Sequence, residues 1–224
     1  MLVLISGMMR SGSTFTFNVA KHLLTRQGES LFWEPIEHIE ELLKSQGSVY
    51  DHILFKQHHG DEFSRLLIKQ QCARTICSFR DPLEALASWM QVFGHPFDES
   101  LQHFKRSIEF IAFQRDHALM ISYDEIENKP TKVIKKIARH LNLPVGFGEP
   151  KSIALNLKKE KVKTRYDGLQ KEEADIQDMG FTFYDKNTFF HRRHVRGDDA
   201  IAAADFFSEE EQALIRKELA PAAN

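Results

Sequence analysis

Gly7–Thr14 reads GMMRSGST, and it gathers two glycines, three hydroxyl side chains and one arginine into eight residues. A short apolar run, Leu2–Ser6, comes before it and a helix-like pattern follows. A glycine-rich turn from a strand into a helix points several backbone N–H groups, here those of Ser11–Thr14, into one concavity at the positive helix end. That is an anion site. Gly7 and Gly12 can take backbone angles closed to other residues. The G-x-x-x-x-G-S-T frame is close to that of a nucleotide phosphate loop, but Ser13 stands where such a loop carries its lysine. Arg10, three places earlier, brings a permanent charge on a planar donor fork instead. A nucleotide kinase also needs a strand-end aspartate for magnesium. None is evident, although Ala118–Ser122 runs into Tyr123-Asp124-Glu125, which leaves a small-molecule kinase as an alternative.

Two further segments carry cations where ligands bind. The run Arg74–Phe79 ends at Arg80 and is followed by DPLEALAS. The carboxyl ends of strands are the ligand edge of an open α/β sheet. Ser88 lies eight residues after Arg80, about two helical turns, so both fall near one edge of the same helix. Together they could hold a phosphate. The plainer reading pairs Arg80 with Asp81 or Glu84 at the surface. Near the end, HRRHVRGDD places Arg192, Arg193 and Arg196 before Gly197. It is either a solvated charged face or a loop wrapped around an anion.

The elements that must position these residues alternate between short apolar runs and longer helical patterns, which indicates an α/β fold. The expected strands are Leu2–Ser6, Ser30–Trp33, His52–Lys56, Arg74–Phe79 and Ala118–Ser122. Their near-continuous hydrophobicity suits parallel strands covered on both faces. The expected helices are Ser13–Arg26, Ile36–Ser45, Asp61–Gln71, Pro82–Phe93, Asp98–Asp116 and Pro130–His140, with a last one opened by Ser208 and Glu211. Asp81-Pro82-Leu83-Glu84 is a helix start with an N-cap, proline at N1 and glutamate at N3. Residues 158–196 show no clean period and are expected to be mostly loop, a lid over the site, with GFTFYDKNTFFH a short strand or part of that lid.

In this order the three cationic segments resemble the sulfotransferases that use 3′-phosphoadenosine 5′-phosphosulfate (PAPS). RSGSTF at Arg10–Phe15 resembles that family's phosphosulfate loop, [KR]-S-G-[ST]-[ST]-[WFL]. RDPLEALAS at Arg80–Ser88 resembles its 3′-phosphate segment, R-[DN]-P-x(5)-S. RRHVRGDD is similar to its R-K-G-x-x-G-D-W loop, but departs at His194, where the family has glycine, and at Asp199, where it has tryptophan. YDEIENKP from Tyr123 is similar to its Y-E-D-L segment. The resemblance spans nearly the whole chain. It implies a single domain, 1–224, built as a P-loop-like three-layer α/β sandwich with a central parallel sheet flanked by helices. It implies that Arg10, Ser11, Gly12, Ser13 and Thr14 hold the 5′-phosphosulfate. Arg80, Ser88 and Arg192, with the backbone near Arg193, would hold the 3′-phosphate, and Phe15 and Tyr123 would lie near the adenine. PAPS would be the co-substrate, the 3′,5′-bisphosphate PAP the product, and no metal would be required.

Sulfuryl transfer needs an acceptor oxygen in line with sulfur, a base for its proton and positive charge on the leaving oxygen. Arg10 suits the last role. KQH at Lys56–His58 is similar to the K-T-H around the catalytic histidine of cytosolic members, with Lys56 sharing the charge stabilisation. Glu34 in FWEP is the competing base, at a distance from the loop similar to that of the catalytic glutamate in carbohydrate and protein-tyrosine branches. His58, His59, His191 and His194 match no common zinc spacing. A catalytically silent nucleotide-binding domain is the remaining alternative.

Composition sets the bounds. The chain has 224 residues, 42% apolar and 28% charged, with net charge −2. No global field draws it to nucleic acid or membrane, so any anion site is built locally. No apolar run approaches the ~20 residues of a transmembrane helix. Two cysteines, Cys72 at a helix end and Cys77 in an apolar run, are expected as reduced thiols, and the expected location is cytoplasmic. The expected partner is a small-molecule, carbohydrate or lipid-like acceptor that offers a hydroxyl or, less often in the family, an amine, and a homodimer is possible. Trp33, Trp89, Phe93, Phe97, Phe181 and Phe183 offer either an apolar acceptor surface or core.

Overall fold

Leu2–Gly7 (β1) turns Val3 and Ile5 to one apolar layer and Leu2 and Leu4 to another. A strand with two buried faces needs helices on both sides, and the chain supplies them. The computed structural model describes residues 1–33, 50–171, 175–178, 180, 182–191, 194–195 and 200–220, with backbone alone for 31–33. Among these, β2 (Ser30–Trp33), β3 (His52–Gln57), β4 (Arg74–Phe79) and β5 (Ala118–Ser122) join β1 in one sheet, in the order β2-β3-β1-β4-β5. Every pairing in it is parallel, with Val3 level with both Leu54 and Arg74.

One face is covered by α1 (Ser13–Thr25), α6 (Pro130–Leu141) and α7 (Glu149–Asn156). Helix α6 buries Val133, Ile134, Ile137, Ala138 and Leu141, a helical stripe, and ends at Asn142 in the left-handed region (φ 56°). The opposite face is covered by α2 (Glu62–Lys69), α3 (Pro82–Phe93) and α4 (Phe97–Gln114). Phe55, Phe104 and Phe110 are wholly buried there, each contributing roughly 1.5–3 kcal/mol by leaving water. The last helix, α10 (Glu209–Glu218), seats Ile215 in the same layer and opens with the expected Ser208–Glu211 capping box. A short α5 (Tyr123–Asn128) begins directly at the end of β5, also with a capping box, from Ser122 and Glu125. Cys77 is buried and its thiol is pushed up to about 12 by burial, so it is inert; Cys72 is exposed, and both are free thiols.

Because all five strands are parallel, their carboxyl ends share one edge. β1 is central, and the chain crosses from its β3 side to its β4 side. This edge therefore receives the turn after Gly7, then His58, Arg80 and Tyr123. The strand boundaries read from sequence hold to within one residue. The stretch 158–196 is less irregular than expected. It contains α8 (Lys159–Tyr166), and β6 (Ile176–Asp178) pairs antiparallel with β7 (Phe183–Asp185), the short strand anticipated in GFTFYDKNTFFH. Helix α8 buries Val162 and Tyr166 alone, too thin a stripe to show through its charged neighbours. The helix expected at Ile36–Ser45 lies outside the described residues. Residues 203–206 form one more short helix, α9. No helix among the described residues is long and apolar enough to cross a membrane.

Candidate functional site

The turn after β1 is held by its glycines and by Ser11. Gly7 has φ 139°, and a Cβ there would meet the Ser78 carbonyl at 2.2 Å. Gly12 caps α1 at φ 90°. Arg10 itself adopts φ 62°, a left-handed conformation that costs a non-glycine residue about 1 kcal/mol and is typical of functional turns. Ser11 is fully buried, its Oγ 2.7 Å from the Met8 carbonyl and 2.8 Å from the Ser78 hydroxyl. That hydroxyl fastens the turn to β4, so the outward donors of the turn are backbone N–H groups and the side chains of Ser13 and Thr14.

Arg10 reaches across three elements. Its Nε donates to Ser88 Oγ at 3.1 Å in the second turn of α3. Its Nη2 donates to the His194 carbonyl at 2.8 Å, and its Nη1 donates to His191 Nε2 at 3.4 Å. The three segments singled out in sequence are therefore joined through one guanidinium. Ser88 is buried, so its hydroxyl faces the loop and not solvent.

On the other side of the turn, Lys56 at the end of β3 is buried and donates through Nζ to Thr14 Oγ1 at 3.0 Å. An ammonium bound to that oxygen polarises the Thr14 O–H outward as a donor. Two residues on, His58 Nδ1 lies 2.7 Å from the Gly7 carbonyl. A carbonyl can only accept, so Nδ1 carries the hydrogen and Nε2 keeps its lone pair. Burial, followed by the Lys56 charge, lowers His58 to about 3, only partly offset by that hydrogen bond. The ring is neutral at physiological pH, with an unprotonated nitrogen on a ring held beside the anion turn.

Arg80 and Tyr123 meet at the ends of β4 and β5. The guanidinium lies 4.4 Å over the Tyr123 ring, a cation–π contact, and Nη2 binds Glu84 Oε2 at 3.2 Å. The surface pairing anticipated for Arg80 is present, and it coexists with a position on the ligand edge. Lys159 of α8 stands over the same ring at 5.3 Å and pairs with Glu127. A cavity of about 420 Å³ opens here, lined by Phe79, Arg80, Ser122, Tyr123, Asp124 and Glu127. Phe15, in contrast, is a core residue, 9% exposed and packed in the α1 layer.

Glu34, Arg192 and Arg193 lie outside the described residues, as do Phe181 and the side chain of Trp33. The remaining aromatics, Trp89, Phe93, Phe97 and Phe183, are all partly buried, with Trp89 and Phe97 packed against the apolar layer that holds Phe207. Phe93 touches His191 at 5.1 Å between ring centroids. Sequence reasoning missed Lys159, hidden in a charged run, and the contact of His191 and His194 with Arg10. Long-range contacts of that kind leave no local pattern; the dense histidines in HRRH were the available signal. Among the described residues no group of three or more His, Cys, Asp or Glu side chains is arranged to hold a metal ion.

Comparison with known proteins adds a family and a fold. The model of the "Sulfotransferase domain" matches residues 2–198. A mouse sulfotransferase complexed with PAP superposes with a TM-score of 0.67 at 16% identity, covering 98% of this chain and 84% of that one. Retinol dehydratase in complex with retinol and PAP superposes with a TM-score of 0.63 at 14% identity, covering 97% and 80%. The same enzyme with androsterone and PAP gives 0.65, covering 97% and 79%. Among curated proteins no sequence matches.

Proposed function

Because the chain belongs to the sulfotransferase domain family, we propose that it transfers a sulfuryl group from PAPS to a hydroxyl of an acceptor, with His58 as the base. The observation that carries this reading is the hydrogen bond from His58 Nδ1 to the Gly7 carbonyl, which seats the ring beside the anion turn and leaves the Nε2 lone pair unprotonated. The residues present fit the nucleotide. The turn offers N–H groups, Ser13 and Thr14 hydroxyls and two flanking cations, and Arg80 with Tyr123 lines a cavity further along the same edge.

In this mechanism the turn and Arg10 orient the phosphosulfate. His58 Nε2 takes the acceptor's proton as its oxygen bonds to sulfur and the sulfur–bridging-oxygen bond breaks. The bridging oxygen leaves on PAP, where Lys56, Arg10 and the turn's N–H groups stabilise its new charge. A bound polyanion also raises the proton affinity of His58 from its low value in the free protein, toward the range where a histidine is an efficient base. Arg80 holds the 3′-phosphate, Tyr123 borders the base, and the buried Ser88 hydroxyl serves the site by fixing Arg10. No lysine at the Ser13 position and no magnesium are called for, because the transferred group carries less charge than a γ-phosphoryl.

Glu34, the competing base, is separated from His58 by substitution. His58→Ala should lower turnover on the order of 10²–10⁴-fold while PAP still binds, and Glu34→Ala should turn over normally. The reverse outcome moves the base to Glu34, and normal turnover by both variants removes both assignments.

A further inference from the structure

His194 is a departure from the motif that HRRHVRGDD resembles, since glycine stands there in the family pattern. A glycine would contribute only backbone, whereas this chain puts an imidazole into the site. The backbone of the residue is already committed, its carbonyl accepting from Arg10 Nη2 at 2.8 Å. The ring packs edge-on to Phe190 (4.7 Å) and His191 (4.5 Å). Its Nδ1 is wholly buried and, among the described residues, has no hydrogen-bond partner. Burying an imidazole nitrogen unpaired costs roughly 1–3 kcal/mol, and such a group at a ligand site calls for a ligand atom. The charged and titratable groups around it come from each neighbouring strand end: Arg10 after β1, Lys56 at the end of β3, and His191 from its own segment. Lys56 in turn faces His58. The unpaired nitrogen thus lies in the field of the Arg10 and Lys56 cations, and among the described residues no carboxylate contacts it, which suits an anionic oxygen.

We propose that His194 is an anion-contacting residue of this chain: its Nδ1 hydrogen-bonds an oxygen of the anion that Arg10 holds, so that nucleotide binding is coupled to uptake of a proton by this ring. The inference rests on the PAPS reading. In the free protein the ring is held neutral, by burial first and then by His191, Arg10 and Lys56. A bound polyanion reverses the local field and favours the imidazolium. Affinity therefore strengthens as pH falls toward and below the bound-state value, at up to about tenfold per pH unit for one proton.

The test is calorimetric titration of the whole protein with PAP in buffers of different ionisation enthalpy, from about pH 6 to 8. It compares wild type with His194→Gly, His194→Gln and His58→Ala. Proton release by PAP's own phosphates is common to all four and cancels in the comparison. Wild type should take up close to one proton more than either His194 variant. Gln, which keeps a donor, should restore part of the affinity lost in Gly but none of the pH slope. If proton uptake is unchanged in both His194 variants, or is lost instead in His58→Ala, the proposal is overturned while the PAPS reading stands. If PAP does not bind wild type, both fall.

Discussion

The hydrogen bond from His58 to the Gly7 carbonyl sets the tautomer, while burial and Lys56 set the titration. The folded ring titrates at about 3, against roughly 6.5 in an unfolded chain. Between those values the unfolded chain holds the extra proton. Stability is therefore fully present above about pH 6.5 and falls as pH drops toward 3. Replacing the ring with His58→Gln should remove this dependence. The difference in unfolding free energy between wild type and variant should fall with acid by up to about 1.4 kcal/mol per pH unit, read from denaturant titrations. A difference that stays flat would show that the ring is not held neutral. Arg80 is tested by ligand choice. Arg80→Ala should weaken PAP far more than adenosine 5′-phosphosulfate, which lacks the 3′-phosphate. Equal weakening of the two would remove that role and leave only the pairing with Glu84 and the contact with Tyr123.

At the scale of elements, the turn between β1 and α1 depends on contacts that its two glycines permit to different degrees. At Gly7 a Cβ would strike backbone, the Ser78 carbonyl at 2.2 Å, under a φ of 139°. At Gly12 it would meet the end of the flexible Ile126 side chain at 2.6 Å, under a φ of 90°. Gly7→Ala should therefore be the more damaging, lowering the melting temperature markedly, with Gly12→Ala milder in stability. Equal melting temperatures for the two variants would mean that β1 and β4 are not pinned as described. The elements were legible where a local rule governs them. Asp81, Pro82 and Glu84 began α3 at the expected residue, with the Asp81 carboxylate accepting from the Glu84 N–H at 3.0 Å. The short strand β7 was anticipated, but helix α8 and the pairing partner β6 were not legible, because their apolar residues are few and find partners such as Phe190 only after the chain has folded. The site was legible as three separate segments. Their junction at Arg10 was not, since Ser88 and His194 lie far from it in sequence.

Across the whole molecule, a parallel sheet carries the turn after Gly7, Lys56, His58, Arg80 and Tyr123 to one edge, and the family match spans residues 2–198 with sulfotransferase-fold neighbours covering nearly all of the chain. What distinguishes the proposed PAPS enzyme from a phosphate-loop kinase is the ligand it recognises, and this can be measured before any acceptor is known. The most direct measurement is thermal denaturation with PAP in the presence of a chelator, set against ATP with magnesium. Bound at about 100 times its dissociation constant, PAP should stabilise the protein by roughly 2.7 kcal/mol without any metal, and ATP with magnesium should leave it unchanged. Stabilisation by ATP with magnesium and none by PAP would contradict the account.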